Sequence, residues 1–313
     1  MNRTSVVIIT SIALVLLAVL LVFQIVAHTN SAKKPGILGI KAGDDAILLD
    51  KAEKSYEQGY LDAAMGGAES VISRYTDSPN LDSAYYLLGM IYEQKKDLVK
   101  AKEAYQTVVD RYPGSPRINK VKESLDDINV AVLFSPIVTP DSMSYEIQKG
   151  DTLGGIAGEF GTTVELISKA NKLKNANIRF GKKLKITKLR FSIVVDKTQN
   201  ILTLKADGNI FKTYRVSTGK NAVTPTGSFK IITKIVNPPW YPQGGGVIPA
   251  GDPRNVLGSR WLGLSSPSYG IHGTVDPGSI GQSVTEGCVR MKNTDVEELF
   301  TIVPEGTEVV IVD

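Results

Sequence analysis

Net charge changes in blocks along this 313-residue chain, and that blocking constrains the fold more than any single motif. Residues 1–40 carry 3 basic and no acidic side chains, residues 41–140 carry 12 and 16, residues 141–190 carry 10 and 5, and residues 191–313 carry 11 and 11. Breaks of this kind predict modules rather than one continuous domain, and the length is enough for about two. The whole-chain balance of +4 is too mild to mark a nucleic-acid partner. Cys288 is the only cysteine, so no intramolecular disulfide forms. With two histidines it also leaves no ligand set for a structural zinc of the usual kind. Neither a metal nor a cofactor is expected.

Residues 4–32 contain no Asp, Glu, Lys or Arg, and residues 6–27 form an apolar run of 22. As a helix that run spans about 33 Å, against a hydrocarbon core about 30 Å thick. The apolar part of a cleaved signal peptide is shorter, and only a weak Asn30-Ser31-Ala32 stands where its cleavage site would be. The expectation is a cytoplasmic stub and transmembrane signal anchor over residues 1–30. Arg3 on one side and Lys33 and Lys34 on the other leave the positive-inside rule undecided.

Residues 44–130 read as helices. The run Tyr85-x-x-Leu88-Gly89-x-x-Tyr92, with Ala101, Tyr105 and Pro113 after it, resembles the tetratricopeptide repeat, with Tyr in the Trp position. Gly89 and Ala101 allow two helices to approach, and the aromatics fill the space between them. A weaker copy precedes it: Tyr56, Ala64, Ala68 and Arg74-Tyr75, the last pair matching Arg111-Tyr112. A helix near residues 118–130 would cap the stack. Such a segment either docks an unidentified protein partner or serves as a spacer. Residues 131–143, with Pro136 and Pro140, read as a linker.

In residues 145–188, Tyr145 and Ile147 alternate with polar residues as in a half-buried strand. Thr152 and Thr163 are candidate caps of two short helices, and Leu184 and Ile186 belong to a closing strand. The GDTL run at 150–153, FGTTVELISKAN at 160–171 and GKKLKI at 181–186 resemble the LysM family. The resemblance implies a βααβ module that binds N-acetylglucosamine-containing glycans such as peptidoglycan. Carried over, its groove implicates Asp151, Thr152, Leu153, Asn177 and Ile178. The plain alternative makes Thr152 only a cap, and Leu153 and Ile178 only core.

From residue 191 onward short β-rich runs follow one another, with Asp207-Gly208 as a hairpin signal. The Pro- and Gly-rich stretch 237–254 reads as a functional loop or lid. His272 and Cys288 stand 16 residues apart, each beside a glycine. A thiol needs a base to become a nucleophile, and an imidazole supplies one. Gly287 brings backbone N–H groups near a developing oxyanion, and Arg290 suits a carboxylate. Taken alone, a buried inert thiol and a structural histidine or arginine remain open.

The runs IHGT at 271–274, SIGQSVTEGCVRM at 279–291 and STGKNAVTPTGSFKI at 217–231 resemble the L,D-transpeptidase catalytic domain. The resemblance implies a cysteine acyltransferase. Cys288 attacks a peptidoglycan tetrapeptide stem, D-alanine leaves, and an amine resolves the thioester into a crosslink. It further implies His272 as base, Gly273 as its carbonyl partner, Gly287 and Cys288 amides at the oxyanion, and Thr285 and Arg290 in the substrate site. Alternatives are an L,D-carboxypeptidase and a non-catalytic wall-binding scaffold. The expected fold class is thus multidomain: a transmembrane helix, α-helical repeat hairpins at 44–130, a βααβ LysM module at 145–188 and a mainly-β domain at 191–313. The expected localisation is a single-pass membrane protein, N-terminus in the cytoplasm, with the catalytic domain on the periplasmic or outer face.

Overall fold

A computed structural model describes residues 43–242 and 244–313. Five helices come first: α1 (Asp44–Glu57), α2 (Leu61–Arg74), α3 (Leu81–Gln94), α4 (Leu98–Arg111) and α5 (Ile118–Leu133). Small residues set how closely they pair. A Cβ on Gly67 would lie 2.7 Å from the Ala52 Cβ, and one on Gly89 would lie 2.2 Å from the Tyr105 ring. The repeat is visible in its hydrogen bonds. Ser78 donates to Asp45, and 37 residues later Ser115 donates to Asp82 in the same way, at 2.5 Å. Each carboxylate thereby fastens the turn that closes a two-helix hairpin to the first turn of that hairpin's first helix.

The LysM region folds as strand, helix, helix, strand. β1 (Ser142–Glu146) pairs antiparallel with β2 (Lys183–Thr187), around α6 (Leu153–Phe160) and α7 (Val164–Ala170). Thr152 accepts the Gly155 N–H at 3.0 Å and Thr163 the Leu166 N–H at 2.9 Å, which satisfies an orphan donor at each helix start. Ile147, Leu153, Ile156, Ala157, Ile167, Leu184 and Ile186 fill the core.

The C-terminal domain carries β3 (Phe191–Asp196), β4 (Ile201–Ala206), β5 (Asn209–Arg215), β6 (Thr218–Gly219), β7 (Gly227–Val236), β8 (Arg260–Leu264), β9 (Gly270–His272), β10 (Ser283–Thr285), β11 (Val289–Arg290), α8 (Asn293–Ile302) and β12 (Glu308–Val312). Eight strands form a sheet in the order β11-β9-β8-β7-β12-β3-β4-β5, while β10 and β6 pair separately. β4 alternates half-buried and buried positions along its length, as expected of a strand with one face on the core. Ile193, Leu202, Leu204, Ile231, Leu262 and Ile271 are fully buried, each contributing about 1.5–3 kcal/mol by leaving water.

Two expectations are corrected. A transmembrane helix and a single-pass membrane localisation with a cytoplasmic N-terminus are not supported: among the described residues no helix is long and apolar enough to cross a membrane. The longest described helix has 16 residues, about 24 Å, and it carries Lys120, Lys122, Glu123, Asp126 and Asp127. The apolar run at 6–27 lies outside the described residues. The second correction concerns residues 131–143, expected as a linker. α5 continues to Leu133, and β1 begins at Ser142. Val130 and Leu133 belong to the same buried cluster as the C-terminal sheet, as does Leu166 of α7, so burial extends the helix past its sequence signal. Asn129 Nδ2 donates to the Phe211 carbonyl at 3.0 Å, and Asp126 accepts the Thr213 N–H at 2.8 Å. α5 thereby covers the edge strand β5, whose unpaired backbone groups would otherwise face solvent.

Candidate active site

His272 ends β9, and Cys288 immediately precedes β11. The two strands are parallel, with Val289 opposite Ile271 and Arg290 opposite His272. Side chains alternate along a strand, so Val289 and Ile271 point into the core, at 1% and 0% exposure. Cys288, Arg290 and His272 share the other face. In this register Cys288 lies across from Gly270, diagonal to His272, on the order of 8 Å between Cα atoms. The thiol, partly exposed, donates to the Ser268 carbonyl at 3.6 Å.

His272 is 3% exposed. Its Nδ1 lies 2.7 Å from the Gly273 carbonyl oxygen. A proton on Nδ1 satisfies that carbonyl and leaves Nε2 as the free base. The Trp261 indole stacks on the ring, with centroids 5.9 Å apart and planes 21° apart. Burial pushes the imidazole down to about 4; hydrogen bonds to backbone at Gly273 and Leu257 pull it up, and Arg290 pushes it further down. Burial raises the Cys288 thiol above its ordinary value, opposed by a backbone hydrogen bond at Gly270 and by the charge of Arg290. The resting pair is therefore neutral thiol and neutral imidazole.

The loop carrying the thiol is built tightly. Thr285 Oγ1 donates to the Cys288 carbonyl at 2.6 Å and accepts the Gly287 N–H at 3.2 Å. Gly287 has φ +123°, and a Cβ there would meet the Tyr269 ring at 2.6 Å, so only glycine fits. Of the two amides expected to face an oxyanion, that of Gly287 is thus committed within the loop. Arg290 donates to Ser279 Oγ at 2.9 Å, and its backbone bridges to Ser217 by two 2.8 Å hydrogen bonds. Among the described residues no carboxylate pairs with it, and its Nε is buried without a partner.

Several groups here carried no signal in the motif spacing. Asn293, at the start of α8, accepts from Ser259 N–H and Thr274 N–H, both at 3.1 Å, and donates to the Thr274 carbonyl at 2.9 Å. It ties the turn after His272 to the end of the 237–259 loop. That loop is pinned inside as well: Asn255 Nδ2 reaches the carbonyls of Pro238, Ile248 and Pro249 at 2.9, 3.3 and 3.2 Å. Trp261 is visible in the sequence, but nothing there sets it against His272.

The five glycan-groove candidates separate. Asp151 accepts from Tyr145 OH at 2.9 Å and Gln148 N–H at 2.7 Å, Thr152 caps α6, and Leu153 is core at 3% exposure. Ile178 packs partly on the same core. Asn177 is exposed, its N–H given to Asn175 Oδ1 at 3.0 Å. Phe180, which the sequence reading passed over, stands 71% exposed beside them, among Arg179, Lys182 and Lys183.

The L,D-transpeptidase catalytic domain family matches residues 190–311, the LysM domain residues 145–187 and the tetratricopeptide repeat residues 83–115. The Bacillus subtilis (strain 168) protein YkuD, provisionally named an L,D-transpeptidase, is 38% identical over 176 residues, covering 54% of this chain and 98% of its own length. This chain belongs to the L,D-transpeptidase family. The 176 aligned residues exceed the catalytic match, so the likeness to YkuD extends beyond that domain. A second Bacillus subtilis relative, YqjB, also provisionally named an L,D-transpeptidase, is 39% identical over 39% of this chain and 70% of its own. A solved L,D-transpeptidase from Mycobacterium smegmatis aligns at 18% identity with a TM-score of 0.35, covering 42% of this chain and 64% of that one.

Proposed function

We propose that this L,D-transpeptidase family member crosslinks peptidoglycan by cysteine acyl transfer. The observation that carries the reading is that Arg290 on β11 lies opposite His272 on β9, with Cys288 at the residue just before β11. His272 Nε2 takes the thiol proton as the sulfur attacks the carbonyl before the terminal D-alanine of a tetrapeptide stem. The Cys288 amide, joined by that of Gly287 where Thr285 releases it, faces the oxyanion. As the tetrahedral intermediate collapses, the C–N bond breaks and His272 returns the proton to departing D-alanine. An amine from a second stem then attacks the thioester, giving the crosslink and restoring the thiol. The Gly273 carbonyl holds the imidazole tautomer, and Thr285 shapes the nucleophile loop. Arg290 favours the thiolate and supplies the positive charge beside it that suits a substrate carboxylate. The LysM module holds N-acetylglucosamine-containing glycan at the end formed by Asp151, Thr152, Leu153, Asn177 and Ile178.

The test is intact-mass spectrometry of the full chain with disaccharide-tetrapeptide. An acyl adduct on the wild type, absent from Cys288→Ala, is expected, followed by crosslinked dimers in the product. Trimmed tripeptides without dimers would mean that water is the acceptor and the chain is a carboxypeptidase. No adduct and no product would leave a wall-binding scaffold.

A further inference from the structure

Lys185 of β2 is 6% exposed and touches no LysM carboxylate. Its ammonium donates to the carbonyls of Val132 at 2.6 Å, Leu133 at 3.3 Å and Ser135 at 2.8 Å, the C-terminal end of α5 and the residues just after it. The Leu133 and Ser135 carbonyls lie where a helix end leaves acceptors without an intrahelical donor, the Val132 carbonyl also takes the Ser135 N–H at 3.2 Å, and the negative end of the helix dipole favours a cation there. Burial pushes the ammonium down to about 8, with Asp141 pulling it back up.

Four further contacts that dock the module lie on the same side. Thr163 Oγ1 donates to the Thr301 carbonyl at 2.5 Å, and Arg190 donates to the Phe160 carbonyl at 2.5 Å. Lys169 sits 4.1 Å over the Phe134 ring, and Leu166 enters the core of the catalytic sheet. The docked side is thus α7, the C-terminal end of α6 and the outer face of β2. The open end holds the start of α6 and the loop with Asn177 and the exposed Phe180. It is separated from the docked end by the eight residues of α6, about 12 Å.

We propose that Lys185 is a positioning residue: it fixes the open, glycan-holding end of LysM at one place relative to Cys288, so that stems on a held glycan strand reach the thiol in a set register. This rests on the transpeptidase reading above. A flexible tether would merely raise local substrate concentration. A fixed mount also selects, favouring stems carried on polymeric strands over free muropeptides.

The test compares the full-length wild type, Lys185→Met and Lys185→Arg on polymeric wall and on soluble disaccharide-tetrapeptide. For Lys185→Met, turnover of polymeric wall should fall ten-fold or more, with soluble turnover within two-fold and retention on purified wall unchanged. Lys185→Arg should recover part of the loss. An equal fall on both substrates would reduce Lys185 to a structural residue, and no fall on the polymer would overturn the proposal. If wild type turns over neither substrate, the transpeptidase reading fails instead. Positioning is then read from spin labels at Lys174→Cys and Lys205→Cys in the Cys288→Ser chain. A single narrow distance that broadens in Lys185→Met is expected, and identical distributions would overturn the fixed mount.

Discussion

Burial of the His272 ring, reinforced by the charge of Arg290, keeps the imidazole neutral well into the acid range. Its value falls from 6.5 to about 4 on folding, so between those pH values the unfolded chain binds a proton that the folded chain does not. Stability supported by this group is present above pH 6.5 and is lost as pH falls through 4, by about 3 kcal/mol between pH 7 and 4. Denaturant unfolding at the two pH values checks this. The acid loss should shrink by about that amount in His272→Gln, and equal losses would count against it. At this scale the closeness of Cys288, Arg290 and His272 was legible because a loop before a short strand keeps them close in sequence. Trp261 and Asn293 were not, since each reaches the His272 turn only through the folded chain. Thr152 and Leu153 show the converse: residues that match a binding motif are occupied in capping and core packing.

Between elements, the contact of α3 with α4 depends on one missing methyl. A Cβ on Gly89 would stand inside the Tyr105 ring's contact distance at three atoms, and Tyr105 is 0% exposed with its hydroxyl donated to Glu93. Gly89→Ala should therefore destabilise the helical segment by about 1–3 kcal/mol through overpacking. The gain in intrinsic helix propensity, about 1 kcal/mol, offsets part of it. Helix content followed by circular dichroism on heating measures the net effect, and an unchanged or raised midpoint would mean that Tyr105 yields. The helices, their pairing and the βααβ order were legible because periodicity and caps are local. The end of α5 and the start of β1 were not, because partners distant in the chain extend them, Lys185 and the C-terminal sheet for α5 and β2 for β1.

Across the whole molecule, Val130, Leu133 and Leu166 share one buried cluster with the catalytic sheet, so the modules are not independent folding units. Calorimetry of the full chain should show LysM and catalytic domain melting together. Deleting residues 145–188 should lower the midpoint of what remains by several degrees, because Leu133 and the end of α5 become exposed. Separate transitions, unmoved by the deletion, would argue for beads on a string.

By itself the sequence determined the modules, their order and the family, since periodicity, glycine placement and motif spacing are written in neighbouring residues. Only the tertiary structure decided that the modules share a core, that Thr285 holds the Gly287 amide, and that Lys185 is buried. Strand alternation beside Leu184 and Ile186 gives Lys185 an outward, solvent-facing position. It is buried because a second surface, unrecorded in local pattern, closes over it and offers its ammonium three carbonyls in place of water.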